Sequence, residues 1–318
     1  MSGFLNKAAV PVAVAAALTM AAQAQQPAAF ERLAVRGQVS LLTDGAANTL
    51  VQAGPQGVLV VDTQAEALGD RLLAEVRALA GTRAIRYVIN TSADPDHTGG
   101  NLKIASSGAQ LVGGNFAAQL GPFGAGAAFI VAHEKALHRL SGVTPGQPVS
   151  PSGGWPTDTF FQTEKTMYFN GEGIQLIHQP ASHTDSDIVV FFRSSDVIAA
   201  GDVYDTTGFP RIDTARGGSV AGVIEALNDL IDLAISEQFT EGGTRIVPGH
   251  GRISDEFDVV EYRDMVTIVR DRVQGMVKRG MTVEQVKAAR PAFDWEPRYG
   301  TVAGATAAFV ESVYRSLK

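Results

Sequence analysis

The chain has 318 residues, 45% of them hydrophobic, and a formal net charge of -7. That acidic balance argues against a nucleic-acid backbone as partner, which is bound by clustered Lys and Arg, and offers little attraction to anionic lipid. The absence of cysteine removes disulfides and thiolate ligands, so any metal would be held by imidazole and carboxylate.

Residues 1–24 read as a signal peptide. Lys7 lies in a short n-region, an apolar stretch runs from Ala8 to Ala22, and Ala22-Gln23-Ala24 is a small-residue ending. Pro11 interrupts the stretch, which is shorter than the roughly 20 residues of a spanning helix. Cleavage after Ala24 is expected. Residues 25–318 would then be one exported domain, periplasmic or secreted, with no stable membrane anchor and a small molecule as its partner.

Three apolar runs, Val39–Leu42, Asn48–Val51 and Val58–Val61, are separated by Asp44-Gly45 and Gly54-Pro55-Gln56-Gly57. This turn chemistry predicts an antiparallel meander. Leu68, Leu72, Leu73, Val76 and Leu79 recur at helical spacing within Gln64–Ala80. Ile85–Ile89 reads as a buried strand, Gly99 and Gly100 open a second helix, and Gln110–Val112 is a short strand. Asn115–Leu140 reads as a third helix, loosened by Gly121, Pro122, Gly124 and Gly126. His133 and His138 lie on it five residues apart, which is not the i, i+4 spacing of a ligand pair on one face. The aperiodic stretch Ser141–Thr159 carries Trp155 and is expected to cover a site.

Strands follow at Thr166–Phe169, Ile174–Ile177, Ile188–Phe192 and Val197–Ala200. His178 ends one of them and reads as a hydrogen-bonded structural residue. Val220–Leu233 and Glu256–Arg279 read as helices, Arg245–Val247 as a strand, and Thr282–Ala289 and Ala303–Leu317 as capping helices. Strands in two groups, each followed by helices, predict an α/β fold of two packed sheets with helices outside.

The stretch Asn90 to Asn101, Asn-Thr-Ser-Ala-Asp-Pro-Asp-His-Thr-Gly-Gly-Asn, places Asp94, Asp96 and His97 just beyond a strand. His183 in Ser-His-Thr, Asp202 in Ala-Gly-Asp and His250 in Pro-Gly-His-Gly also follow apolar runs and are expected at strand ends. Imidazole and carboxylate donors on rigid supports are what a divalent ion needs.

In this order the residues resemble the metallo-β-lactamase superfamily, whose motif reads His-x-His-x-Asp-His, then a lone His, an Asp and a final Gly-His. The resemblance spans about Val39 to His250 and implies a four-layer αββα sandwich. Asp96, His97, His183, Asp202 and His250 match, while Ser92 and Asp94 stand where the first two histidines would be. It implies one position held by Asp96, His97, His250 and Asp202, and an altered one held by Asp94, His183 and a bridging Asp202. One or two Zn2+ ions are expected, and the carboxylate at 94 also suits manganese or iron. On charge, a single ion would leave the cluster net negative and burden Asp94. Ser92 is expected to cap the following turn.

The implied chemistry is hydrolysis of an ester, thioester, lactone or lactam by a metal-activated water. Asp96 would orient that water and Asp94 would act as ligand or base, with Trp155, Tyr204 and Phe209 near the substrate. The alternatives are a non-catalytic periplasmic metal- or ligand-binding protein and an iron-dependent oxidoreductase. The flavodiiron branch carries a flavin domain that no segment here could supply.

Overall fold

The computed structural model describes residues 29–110, 126–143 and 149–318. The expected signal peptide and its cleavage site lie outside these residues, as do Val112 and the start of the expected third helix.

Twelve described strands form two sheets. The first runs β1 (Glu31–Arg36), β2 (Val39–Thr43), β3 (Asn48–Gly54), β4 (Gly57–Val61), β5 (Ile85–Ile89), β6 (Phe129–His133) and β7 (Asp158–Phe160), in spatial order as in sequence. Its first four strands are the expected antiparallel meander, with β1 added at the edge. From β4 to β7 the neighbours are parallel. The second sheet has the order β12 (Arg245–His250), β11 (Val197–Asp205), β10 (Asp187–Phe192), β9 (Glu172–Gln179) and β8 (Glu164–Phe169), with only β11 and β12 parallel.

Strand alternation divides the side chains between layers. Along β4, Leu59 and Val61 face the second sheet's Ile174, Leu176 and Val190, whereas Val58 and Val60 face outward onto helices. Helix α1 (Gly69–Ala80) meets them with Leu72, Val76 and Ala80, spaced i, i+4, i+8. On the far side, Val189, Ile198 and Ile246 pack against α5 (Val220–Leu233) and α6 (Glu256–Lys278). Each such fully buried Val, Leu or Ile contributes about 1.5–3 kcal/mol. The layers are therefore helix, sheet, sheet, helix, the αββα sandwich expected.

Caps place the outer helices where the sequence puts them. The Ser219 side chain accepts from Gly222 N to start α5, and Asp255 accepts from Asp258 N to start α6. Thr282 and Gln285 form a capping box on α7 (Val283–Ala288). Two short helices, α8 (Glu296–Tyr299) and α9 (Ala305–Ser316), complete the layer. Among the described residues no helix is long and apolar enough to cross a membrane.

One expectation is corrected. The described part of Asn115–Leu140 is a strand, β6, followed by the short helix α4 (Glu134–Leu140). Ile130, Val131 and Ala132 are fully buried between parallel neighbours. A short apolar run carries the same signal for a central strand as for a buried helix. His133 thus ends a strand and caps α4, its Nδ1 accepting from Lys135 N, and shares no helix with His138.

Candidate metal centre

The carboxyl ends of β4 and β5 meet those of β11 and β12, and the centre lies there, with His183 added from the β9–β10 connection. After β4 the chain turns at Asp62, whose φ of 61° is uncommon for a residue with a Cβ. After β5 come Ser92 and Asp94, then the helical turn α2 (Pro95–Thr98), which carries Asp96 and His97. Asn90 and Asn101 hold this stretch with reciprocal side-chain hydrogen bonds of 2.9 and 2.8 Å, Asn101 opening helix α3 (Asn101–Ser106). Ser92 caps the turn as expected, its Oγ accepting from Asp94 N at 3.2 Å.

Asp202 lies inside β11 rather than at its end. The strand is bulged around Gly201, which has φ 54° and would drive a Cβ to 2.5 Å from the Thr91 hydroxyl oxygen. Only glycine lets the strand pass this close and aim Asp202 inward. His183 sits in the β9–β10 connection, where Asp187 accepts from Ser182 Oγ, Thr184 N and Thr184 Oγ1 at 2.6 to 2.9 Å.

Two donor groups result: Asp96, His97 and His250, and Asp94, His183 and Asp202, each with one atom per residue within 4.8 Å of the others. His250 Nε2 lies 3.4 Å from Asp96 Oδ2 and 3.3 Å from Asp202 Oδ1. His97 Nε2 lies 3.3 Å from Asp202 Oδ2, and His183 Nδ1 lies 3.4 Å from the same oxygen. Those last three atoms, His97 Nε2, His183 Nδ1 and Asp202 Oδ2, are buried and make no hydrogen bond. Unpaired buried polar atoms are costly. Their convergence fits a cation held by the motif residues.

Outer contacts aim the rings. Asp62 Oδ2 faces His97 Nδ1 at 2.7 Å while accepting from Thr91 Oγ1 at 2.6 Å, and its Oδ1 accepts from Thr91 N at 2.8 Å. His250 Nδ1 donates to Ala46 O, leaving Nε2 for the centre. Asn48 Nδ2 steadies that turn by donating to Pro248 O and Gly251 O, both at 2.9 Å.

Electrostatics follow from this crowding. Burial would lower the His250 pKa, but Asp202 and Asp96 outweigh it and lift it to about 10. Burial would raise that of Asp96, but His250, His97 and Arg211 bring it to about 2. Burial likewise opposes the shifts of His97 and Asp202, which end well above and well below their ordinary values through each other and through Asp62, His250 and His183.

Two guanidinium groups enter the centre that no motif marks. Arg211 Nη2 donates to Asp202 Oδ1 at 2.6 Å. Arg216 pairs with both oxygens of Asp94, so Asp94 stands beside His183 and Asp202 but is already engaged.

Of the aromatic expectations, that for Tyr204 is corrected. Tyr204 is 2% exposed, its ring against Tyr262 and its hydroxyl donating to Ser254 Oγ. Tyr204 lies within β11, and its ring is part of the core rather than the wall of the centre. Trp155 packs onto Ala93, Ala132, Ala136 and Leu140, and its Nε1 donates to Ser150 O. Residues 144–148 of its loop lie outside the described residues. Its neighbours Ser150, Pro151 and Gly154 instead help to wall a cavity of about 570 Å3 with Ala93, Pro95 and Arg216. Phe209 is 5% exposed, stacks on Phe309 and borders a second cavity, of about 560 Å3, with Asp94, His183, Arg211 and Arg216. His178 is structural, its Nε2 donating to Asp185 O at 2.8 Å and its ring stacked on His133.

Sequence reasoning missed Asp62, Arg211 and Arg216. Asp62 directly follows the apolar run Val58–Val61 and shared the signal used for the other ligands. The two arginines lie in a loop with no periodicity and no motif.

A profile of the metallo-beta-lactamase superfamily matches residues 42–250. No curated protein gives a significant match. Solved structures with the same fold include a metallo-beta-lactamase from Pontibacter korlensis, at 16% identity and TM-score 0.53 over 75% of this chain and 99% of that one. The sec-alkylsulfatase Pisa1 from Pseudomonas sp. aligns at 13% identity and TM-score 0.62, over 90% of this chain and 50% of that one. With the profile covering residues 42–250, well over half of the chain, the chain belongs to the metallo-beta-lactamase superfamily.

Proposed function

We propose that this protein is a metal-dependent hydrolase acting on an ester, thioester, lactone or lactam of a small molecule, with zinc as the first candidate ion. The supporting observation is the set of buried donor atoms without hydrogen bonds, His97 Nε2 and Asp202 Oδ2, facing His250 Nε2 and Asp96 across one point. Asp96, His97, His250 and Asp202 would hold the ion, with Asp62 and Ala46 O fixing the two imidazoles. A divalent ion there would lower the pKa of a water and polarise the carbonyl oxygen of the substrate.

The chain's own residues supply the rest. Asp96 keeps 34% of its side chain exposed, so it can both bind inward and orient a water on the open side. His183 Nδ1, buried and without a hydrogen bond, can take or return a proton beside Asp202 Oδ2. The two cavities that meet at Arg216 are of a size for a small molecule, and each has apolar and charged walls. The Ala22-Gln23-Ala24 ending supports export to the periplasm as the place of action.

The test is a hydrolysis screen over esters, thioesters, lactones and lactams, run on chelated protein and on the same protein returned to zinc, manganese or iron. Turnover that disappears with chelation and returns with one of the ions supports the reading. Metal bound without turnover of any class favours a binding protein, and turnover indifferent to chelation rejects metal dependence.

A further inference from the structure

The altered half of the centre supports a narrower assignment, which rests on the metal-dependent reading above. We infer that Arg216 is a built-in cation for the first position, so that the chain holds one divalent ion rather than two.

Arg216 is fixed from several sides. Its Nη1 bonds Asp94 Oδ1 and its Nη2 lies 3.3 Å from Oδ2. Its Nε donates to Asp213 Oδ2 at 2.6 Å, and its backbone N donates to Asp213 Oδ1 at 3.0 Å. Its carbonyl accepts from Asp185 N at 2.9 Å and from Arg139 Nη2 at 2.8 Å. Asp213 N in turn donates to His183 O at 2.9 Å, so the β11–α5 loop that carries the clamp is tied to the β9–β10 connection that carries the motif histidine. A planar guanidinium paired fork to fork with a buried carboxylate is a strong and directional contact. Taking away one partner of such a pair strands the other.

Arg211 is held more loosely. Its Nη2 lies 2.6 Å from Asp202 Oδ1, 3.4 Å from His250 Nε2 and 3.9 Å from Asp96 Oδ2, and 47% of its side chain is exposed. An ion entering the second position has to displace a half-exposed guanidinium held through one nitrogen, not one paired fork to fork with a buried carboxylate.

The donor count points the same way. Ser92 has no imidazole to give, and its hydroxyl is used by Asp94 N. With Asp94 committed to Arg216, the first position keeps His183 and the shared Asp202, fewer than the three protein ligands usual for a catalytic ion. A divalent ion entering there would have to break the Asp94 pair and then sit against a guanidinium. The positive charge that a second ion would bring to Asp94 is supplied by the chain.

Metal content decides this without reference to activity. Full-length protein and the variants Arg216→Gln and Asp94→Asn are dialysed against excess zinc and then against metal-free buffer, and zinc per chain is read by plasma mass spectrometry, with circular dichroism as a check on folding. One ion in the wild type, two in Arg216→Gln and one in Asp94→Asn are the expected results. Two ions in the wild type, one in a folded Arg216→Gln, or loss of the ion in Asp94→Asn would each overturn the assignment. Should Arg216→Gln fail to fold, the wild-type and Asp94→Asn counts still decide. Zero zinc in the wild type and in every variant would reject instead the metal-dependent reading on which the inference stands.

Discussion

The two halves of the centre both draw on the stretch after β5 and share Asp202, yet they are built differently. In the half around His97 and His250, each ring is oriented from behind by an oxygen, Asp62 Oδ2 or Ala46 O, and a buried donor atom is left unpaired at the front. In the half around Asp94, the front of the carboxylate is closed by Arg216. The first arrangement meets a guanidinium only through the single Nη2 of half-exposed Arg211, whereas the second is closed fork to fork. Loss of two motif histidines is thus answered by an arginine more than a hundred residues later in the chain, where a local motif cannot record it.

The comparison breaks most sharply at His97. His97→Ala should abolish zinc binding and, in the metal-free protein, cost about 3–5 kcal/mol by stranding the buried Asp62 and Asp202 carboxylates. Denaturant melts with and without zinc measure both, and a variant that still binds zinc with wild-type affinity would exclude His97 as a ligand. Next in size, Asp62→Asn keeps the shape but weakens the hold on the ring, and zinc affinity should fall by about 10–100-fold in a chelator competition. No change would mean that Asp62 does not position the ligand.

A smaller effect of opposite sign is expected from Arg211→Ala. Freed from a half-exposed ion pair worth about 0–1 kcal/mol, Asp202 should bind zinc up to about fivefold more tightly. A weaker affinity would mean that Arg211 supports the ion rather than competing with it.

The smallest effect lies outside the ligands, at the stacked pair His133 and His178. Burial, followed by His178 and Lys135, lowers the His133 pKa from 6.5 to about 4. As pH falls the unfolded chain takes this proton first, so the contribution to stability is complete above about pH 6.5 and is lost on the way down to about pH 4. His133→Asn keeps an acceptor for the helix cap and should flatten the fall of melting temperature across that window relative to the wild type. Parallel curves would show that His133 is protonated alike in both states.

The layers of the fold were legible because alternation and helical spacing report burial directly. Val220–Leu233 forms the expected helix, and Val58–Val61 lies within β4. The residues 129–133 were misread because a central parallel strand is apolar on both faces and loses its period of two. The candidate ligand residues stand out by their order in the chain, and the structure brings them together, with Asp202 inside β11 rather than at its end. Tyr204 is a core ring, since aromatic character in the sequence does not tell a core ring from a substrate contact. Arg211 and Arg216 could not be read at all, since their role depends on a loop folding back across two sheets.

The central claim is that Asp96, His97, His250 and Asp202 enclose a divalent ion. Crystals grown with zinc, measured on both sides of the zinc absorption edge, test it in place. An anomalous peak is expected among those four side chains and none between Asp94 and His183. A strong peak at Asp94 and His183, or no peak within reach of His97 and His250, would contradict it.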